Sequence, residues 1–176
     1  MTGQLAPAPR VAPPVVAPTL VASALVGAAR VALGAMWLFL EGLVKYQAGF
    51  GSADILLVAH AGDSNSRVPG YFTAFAHATL EQAPWLFGIG IPLLETGLGV
   101  ALILGAFTRA AALVSALTLM LYWSADQLIW EYPLMALLTV VVVAWPSAAR
   151  RFSLTTMVER LNPRFGRVPG ALRAWL

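Results

Sequence analysis

Apolar residues gather into four long runs along this chain, and polar residues keep to the gaps, the ends and a few isolated positions inside the runs. The first run covers residues 19–46; Arg30 interrupts it, and Glu41 and Lys45 close it. The second, residues 85–105, holds a single charge, Glu95. After a very short turn the third covers residues 108 to about 129, and the fourth covers 132–145. A hydrocarbon core of about 30 Å takes roughly 20 helical residues. The second and third runs reach that length, and the fourth does so with interfacial turns from Trp130 and from residues 146–149. Strands of a membrane barrel are shorter and alternate polar with apolar positions, which these runs do not. The pattern predicts an all-α integral membrane four-helix bundle.

The gaps add an organisation of three parts. Residues 1–18 are rich in Ala and Pro and are expected to be a disordered tail. Residues 19–149 are expected to hold the four transmembrane helices, with an outer insert at 47–84. Residues 150–176 form a basic cytoplasmic tail with spaced apolar side chains, suited to an anionic inner leaflet. In the insert, YFTAFAHATLEQ places Tyr71, Phe72, Phe75 and Ala76 at helical spacing, with His77, Glu81 and Gln82 as polar partners. An amphipathic helix lying in the interface or capping the bundle is expected there. The first run contains a small-residue ASA at residues 22–24. It lacks a compact basic stretch before it and continues past Arg30, so a membrane span rather than a cleaved leader is expected.

Composition sharpens this picture. The chain has 176 residues, 59% hydrophobic and 11% charged, whereas soluble domains carry roughly 25% charged residues. It contains no cysteine, which excludes disulfides, CxxC redox motifs, thiolate zinc sites and iron–sulfur ligation. The net charge of +3 suits nucleic acid only until the charges are located. Arg150, Arg151, Arg160, Arg164, Arg167 and Arg173 all follow the last run, Arg10 precedes the first, and Arg109 lies in the short turn. Lys and Arg therefore place both termini in the cytoplasm, and no nucleic-acid partner is expected. Trp85, Trp123 and Trp130 then mark the outer interface and Trp145 the inner one.

Ionisable groups inside a membrane are expensive, so each is a candidate for function. At about 100° per residue, Glu41 returns to within about 20° of Arg30, and Lys45 follows one turn later. Arg30, Gly34, Glu41 and Lys45 thus form a polar stripe facing the other helices. Glu95 lies mid-way along the second run, flanked by Gly88 and Gly99, which allow close approach of a neighbour. Three readings stand: a structural ion pair of Glu95 with Arg30 or Lys45, a proton or quinone site, or a lipid- or partner-binding role. The segment YWSADQLIWEYP supplies Tyr122, Trp123, Asp126, Trp130, Glu131 and Tyr132, either as an aromatic belt with capping acids or as the mouth of a site for an amphipathic ring compound or an electron-donor partner. His60 and His77 are not spaced as a helical metal pair, and no metal site is expected. The glycines of GIGIPLLETGLG follow no strand, so a dinucleotide loop is excluded by context.

RVALGAMWLFLEGLVKY, LLETGLGVALILGAFTRAAAL and EYPLMALL followed by RRFSLTTMVER together resemble the DoxX family of four-helix membrane proteins. Within it they resemble the DoxD-like small subunit of thiosulfate:quinone oxidoreductase. The resembling segments are residues 30–45, 95–113 and 131 to about 154, with Arg30, Lys45, Glu95 and Arg109 as the matched polar positions. The resemblance implies a subunit of the bacterial or archaeal cytoplasmic membrane that supports quinone-linked oxidation of thiosulfate or another sulfur compound. A second subunit or homo-oligomer, and quinone as a co-substrate with no covalently bound cofactor, belong to that expectation. Without cysteine, a sulfur intermediate needs another polypeptide or an outer-sphere route. The catalytic group is then Glu95 with Arg30, Glu41 and Lys45. A non-catalytic scaffold whose buried charges fix helix packing is the alternative, and a carrier of small solutes or lipid is a third reading.

Overall fold

The computed structural model describes residues 18–162. The Ala/Pro-rich tail through residue 17, and the basic tail beyond residue 162, lie outside the described residues, as do the expectations placed on them. Among the described residues every regular element is a helix. Helix α1 is Leu20–Ala48, opened by Thr19, whose hydroxyl accepts the Ala22 N–H at 3.2 Å. Within it Met36–Gly42 widens to π-helical pitch. The sequence pattern assigns no element to the next helix, α2 (Ser52–Ser64). Asp54 starts it by accepting the Gly51 N–H at 2.8 Å. Helix α3 is Gly70–Phe75, continued by a π turn Ala76–Leu80. Then come α4 (Pro84–Leu104), α5 (Thr108–Ser124), α6 (Glu131–Ala144), α7 (Pro146–Arg150) and α8 (Leu154–Leu161).

Helices α1 and α4 are long and apolar enough to cross a membrane. At 17 and 14 residues, α5 and α6 are shorter. The third run was expected to remain helical to about residue 129. Instead the chain turns at Asp126, a non-glycine residue in the left-handed region at φ 58°. There its carboxylate meets the insert, accepting hydrogen bonds from Asn65 at 2.7 Å and Arg67 at 2.6 Å.

Helix α1 packs against α4 and α6, and α5 packs against α4 and α6 in turn. The approach of α1 to α4 is set by small residues. A Cβ on Gly34 would stand 2.8 Å from the Gly99 carbonyl oxygen, and one on Gly99 would stand 2.7 Å from the Leu38 backbone nitrogen. No larger side chain fits at that crossing without parting the helices. Leu33, Trp37, Leu102, Met135 and Val142 fill the core between them. The Trp37 indole N–H donates to Ser115 Oγ at 2.7 Å, and Ser115 meets Thr139 at 3.1 Å, so the polar atoms of this core are paired.

The insert has a second, smaller core of Ile55, Ala59, Val68, Phe72, Ala76 and Leu80. Of the two offered placements for its amphipathic helix, capping is the one observed. Phe72, Ala76 and Leu80 turn inward, whereas Tyr71 is exposed. Helix α2 packs on α4, with Gly51 against Gly88. The insert therefore sits over one end of α1, α4 and α5.

Candidate functional site

Three charged side chains and two tyrosines meet under the insert. Glu41 comes from the π-helical stretch of α1, where the wider turn breaks the 100° progression of an ordinary helix. Lys45 follows one turn later, Glu95 comes from the middle of α4, Tyr122 from α5 and Tyr132 from α6. The Lys45 ammonium donates to Glu95 Oε1 at 2.7 Å and to Glu41 Oε2 at 2.8 Å. The Tyr122 hydroxyl donates to the same Glu95 oxygen, and the Tyr132 hydroxyl donates to Glu41 Oε2 at 3.3 Å. The result is one hydrogen-bonded chain, Tyr122–Glu95–Lys45–Glu41–Tyr132. The two tyrosine rings lie 5.6 Å apart, and the ammonium stands 5.6 Å from the Tyr122 ring and 5.8 Å from that of Phe50.

Glu95 is fully buried. Its second oxygen, Oε2, is also buried and meets no hydrogen-bond partner among the described residues. Two carboxylates share one ammonium, so with every group ionised the cluster carries one negative charge out of water. A buried net charge is expensive, and one proton among the acids removes it.

Beside this chain lies a cavity of about 350 Å³, with Lys45 and Tyr122 in its wall. Phe50, Phe87, Ile91 and Leu94 supply much of the rest, and α2 and α3 roof it. Its lining is almost wholly apolar, with Lys45, Thr118, Tyr122 and Gln127 as its polar residues. An apolar chamber with a few convergent polar groups is the usual form of a small-molecule site.

Arg30 is not part of this cluster, although the stripe analysis placed it with Glu41 and Lys45. It does face inward, but eleven residues of helix carry it roughly 16 Å away. There its guanidinium donates to the carbonyls of Leu102, Ile103 at 3.0 Å, Ala149 at 3.1 Å and Phe152 at 3.2 Å. The first two belong to the last turn of α4, whose carbonyls have no partner within the helix. Arg30 thus ties the end of α4 to α7 and the turn that follows it, and of its two possible partners Glu95 meets only Lys45. Arg109, in the first turn of α5, lies at this same far end.

The outer aromatic segment divides in the same way. Tyr122 and Tyr132 join the buried chain. Trp123 and Tyr132 line a separate open groove between α5 and α6, of about 720 Å³, with Tyr71 and Trp130. Asp126 holds the insert, and the hydrogen bond from Asn65, followed by those from Arg67, keeps its carboxyl below the usual carboxylate range. Glu131 starts α6, favourably placed at a helix N-terminus. His77 contacts two acids, Asp63 at 2.8 Å and Glu81 at 2.7 Å. Among the described residues no group of three or more His, Asp or Glu could hold a metal ion.

Sequence reasoning found the α3 half of the cavity's roof and missed α2 and Phe50. Ile55, Val58 and Ala59 repeat at the spacing of a helix after the Gly-Ser-Ala-Asp start, which is the signal that α2 leaves in the sequence.

A helical membrane protein with a buried acid–base chain beside an apolar cavity is the class that fold and site define. The family model for DoxX matches residues 25–125, more than half of the chain. The chain belongs to the DoxX family. The matched span includes Arg30, Glu41, Lys45, Glu95 and Tyr122, together with the insert; Tyr132 and the resembling segment from Glu131 onward fall outside it. No curated protein matches the chain, and no solved structure does.

Proposed function

We propose that this chain is a four-helix-bundle, DoxD-like subunit of the cytoplasmic membrane, with both termini inside, that handles protons for quinone-linked oxidation in company with a partner subunit. The observation that carries the reading is Glu95. One of its oxygens is held by Lys45 and Tyr122, the other has no hydrogen-bond partner, and the wall of an apolar cavity is one side chain away.

Reducing a quinone takes two electrons and two protons. The electrons come from thiosulfate or another sulfur compound, whose chemistry a cysteine-free chain leaves to the partner. The protons are this chain's part. Lys45 fixes the Glu95 carboxyl and offsets its charge, while Tyr122 stands between carboxyl and cavity as a hydroxyl able to donate on one side and accept on the other. Glu41 and Tyr132 extend the chain towards α6. Short α5 and α6 suit a bundle whose outer end is completed by the insert. The exposed Trp85, Trp123 and Trp130 at that end, and Trp145 at the other, suit the two interfaces.

A second reading, a non-catalytic scaffold, draws on Lys45 bonding two acids from two helices, which also locks α1 to α4. The two readings part in one experiment. Membranes containing Glu95→Gln, supplied with thiosulfate and a short-chain ubiquinone, are expected to lose quinone reduction by about tenfold or more while the protein accumulates normally. Glu95→Gln protein that fails to accumulate, with Glu95→Asp restoring it, supports the scaffold, as does full activity in Glu95→Gln. A quinone retained through purification favours the first reading.

A further inference from the structure

The roof of the cavity is made from two separate helices, which share a small apolar core and are joined on the solvent side by an ionic junction. Ile55 and Val58 of α2, and Phe72, Phe75 and Leu80 of α3, face the cavity. On the solvent side, His77 of α3 lies between two acids: Nε2 is 2.8 Å from Asp63 of α2, and Nδ1 is 2.7 Å from Glu81 just beyond α3. His60 of α2 completes the junction, with Nε2 3.2 Å from Glu81. Helix α4 packs against α2, but its only charged residue is Glu95, in the buried chain. On the α5 side Asp126 is engaged by Asn65 and Arg67. His60, His77, Asp63 and Glu81 therefore set the charge of this junction among themselves.

A neutral imidazole has one N–H and one lone pair. With both ring nitrogens of His77 within hydrogen-bond distance of carboxylates, a neutral ring donates to one acid and turns its lone pair towards the other. The imidazolium donates to both. The observed geometry is thus that of the protonated ring, and losing the proton replaces one charge-assisted hydrogen bond by a repulsion.

We propose that α2 and α3 form a pH-gated lid over the apolar cavity, held shut by protonated His77 and loosened when that proton leaves. The device does not depend on what occupies the cavity, and so stands apart from the quinone reading. The hydrogen bond with Asp63, and then that with Glu81, raise the pKa of His77 above its ordinary value. A group raised in the folded state contributes its full stabilisation below its ordinary value of about 6.5. That contribution is lost as pH rises through the raised value. The lid is closed in acid and loosens in alkali.

The chain has no cysteine, so a single introduced thiol reports on the lid. Gly90 lines the cavity, and a Cβ there meets open space, so Gly90→Cys places a thiol inside. Ser66→Cys, exposed between α2 and α3, serves as the reference, and the His77→Gln background measures how far the ratio changes because apolar surroundings raise the buried thiol's pKa. The ratio of their labelling rates with N-ethylmaleimide, in lipid nanodiscs, is expected to rise by about threefold or more from about pH 5.5 to about pH 8.5. His77→Gln should give a high ratio at every pH. His77→Arg, which keeps a permanent cation, should give a low one. A ratio that stays flat in the parent lid, or one whose pH dependence is as steep in His77→Gln as in the parent, overturns the proposal.

Discussion

At one end of α1 the Arg30 guanidinium lies among four backbone carbonyls; at the other the Lys45 ammonium lies between two carboxylates, with a cavity beside it. Both positions bury a cation, and both look alike in a list of charges inside apolar runs. Their partners distinguish them. A carbonyl at a helix end cannot change its protonation state, so the Arg30 contacts can only hold α4 and α7 together. A carboxylate can take or release a proton, and a tyrosine hydroxyl can pass one on, so the Lys45 contacts admit chemistry. A buried charge inside a membrane becomes evidence of function when its partners are themselves titratable and a space for a ligand adjoins them.

That comparison can be broken first at Arg30. Arg30→Ala removes the guanidinium from four carbonyls, of which Leu102 keeps the Gly105 N–H, and is expected to destabilise the protein by on the order of 4 kcal/mol, read from reversible unfolding in mixed micelles. Arg30→Lys should recover only part of this, since one ammonium cannot fork among four acceptors. At the opposite end, Lys45→Met should cost less, about 2 kcal/mol in the same measurement, because the acids it abandons can take protons. A loss equal to that of Arg30→Ala would erase the distinction. Gly99→Leu tests the crossing that brings α1 and α4 together. Its side chain must displace Leu38 and Gly34, and a loss of about 2 kcal/mol is expected.

Smaller effects sharpen the end that carries the insert. Tyr132→Phe removes the long bond to Glu41 and should lower stability by about 1 kcal/mol, with quinone reduction reduced less than by Glu95→Gln. Arg67→Ala releases the insert from Asp126, and the melting temperature should fall by about a degree near neutral pH. The folded-state pKa of Asp126 is depressed, so this tie is present above the ordinary carboxylate value and lost as pH falls through the lowered one. The difference between Arg67→Ala and the parent should therefore disappear in acid.

Much of the fold was legible because lipid and helix geometry act on local patterns. Long apolar runs gave the starts of α1, α4 and α5 within a residue or two, and Gly88 and Gly99 announced close helix contacts. What escaped depended on distant partners. Angle around a helix says nothing of distance along it, so the stripe joined Arg30 to residues that eleven positions of rise keep it from meeting; nor has the π-helical widening of Met36–Gly42 a signature in a pattern read at constant pitch. The end of α5 at Ser124 is set by Asn65 and Arg67, some sixty positions away, so the third run was read too long. Glu41, Lys45 and Glu95 stood out because charge is rare in those runs, whereas the cavity wall is built from Phe50, Phe87 and Ile91, which no pattern separates from ordinary core. Helix α2 was missed because its apolar face is short and covers the site rather than crossing a membrane.

The central claim is that Glu95 exchanges a proton with whatever enters the cavity. Infrared difference spectra, recorded as a short-chain ubiquinone binds the purified protein, test it most directly. A change in a carboxyl C=O band that vanishes in Glu95→Gln and persists in Glu131→Gln is the predicted result. A spectrum with no carboxyl change, or one left intact by Glu95→Gln, would contradict the account.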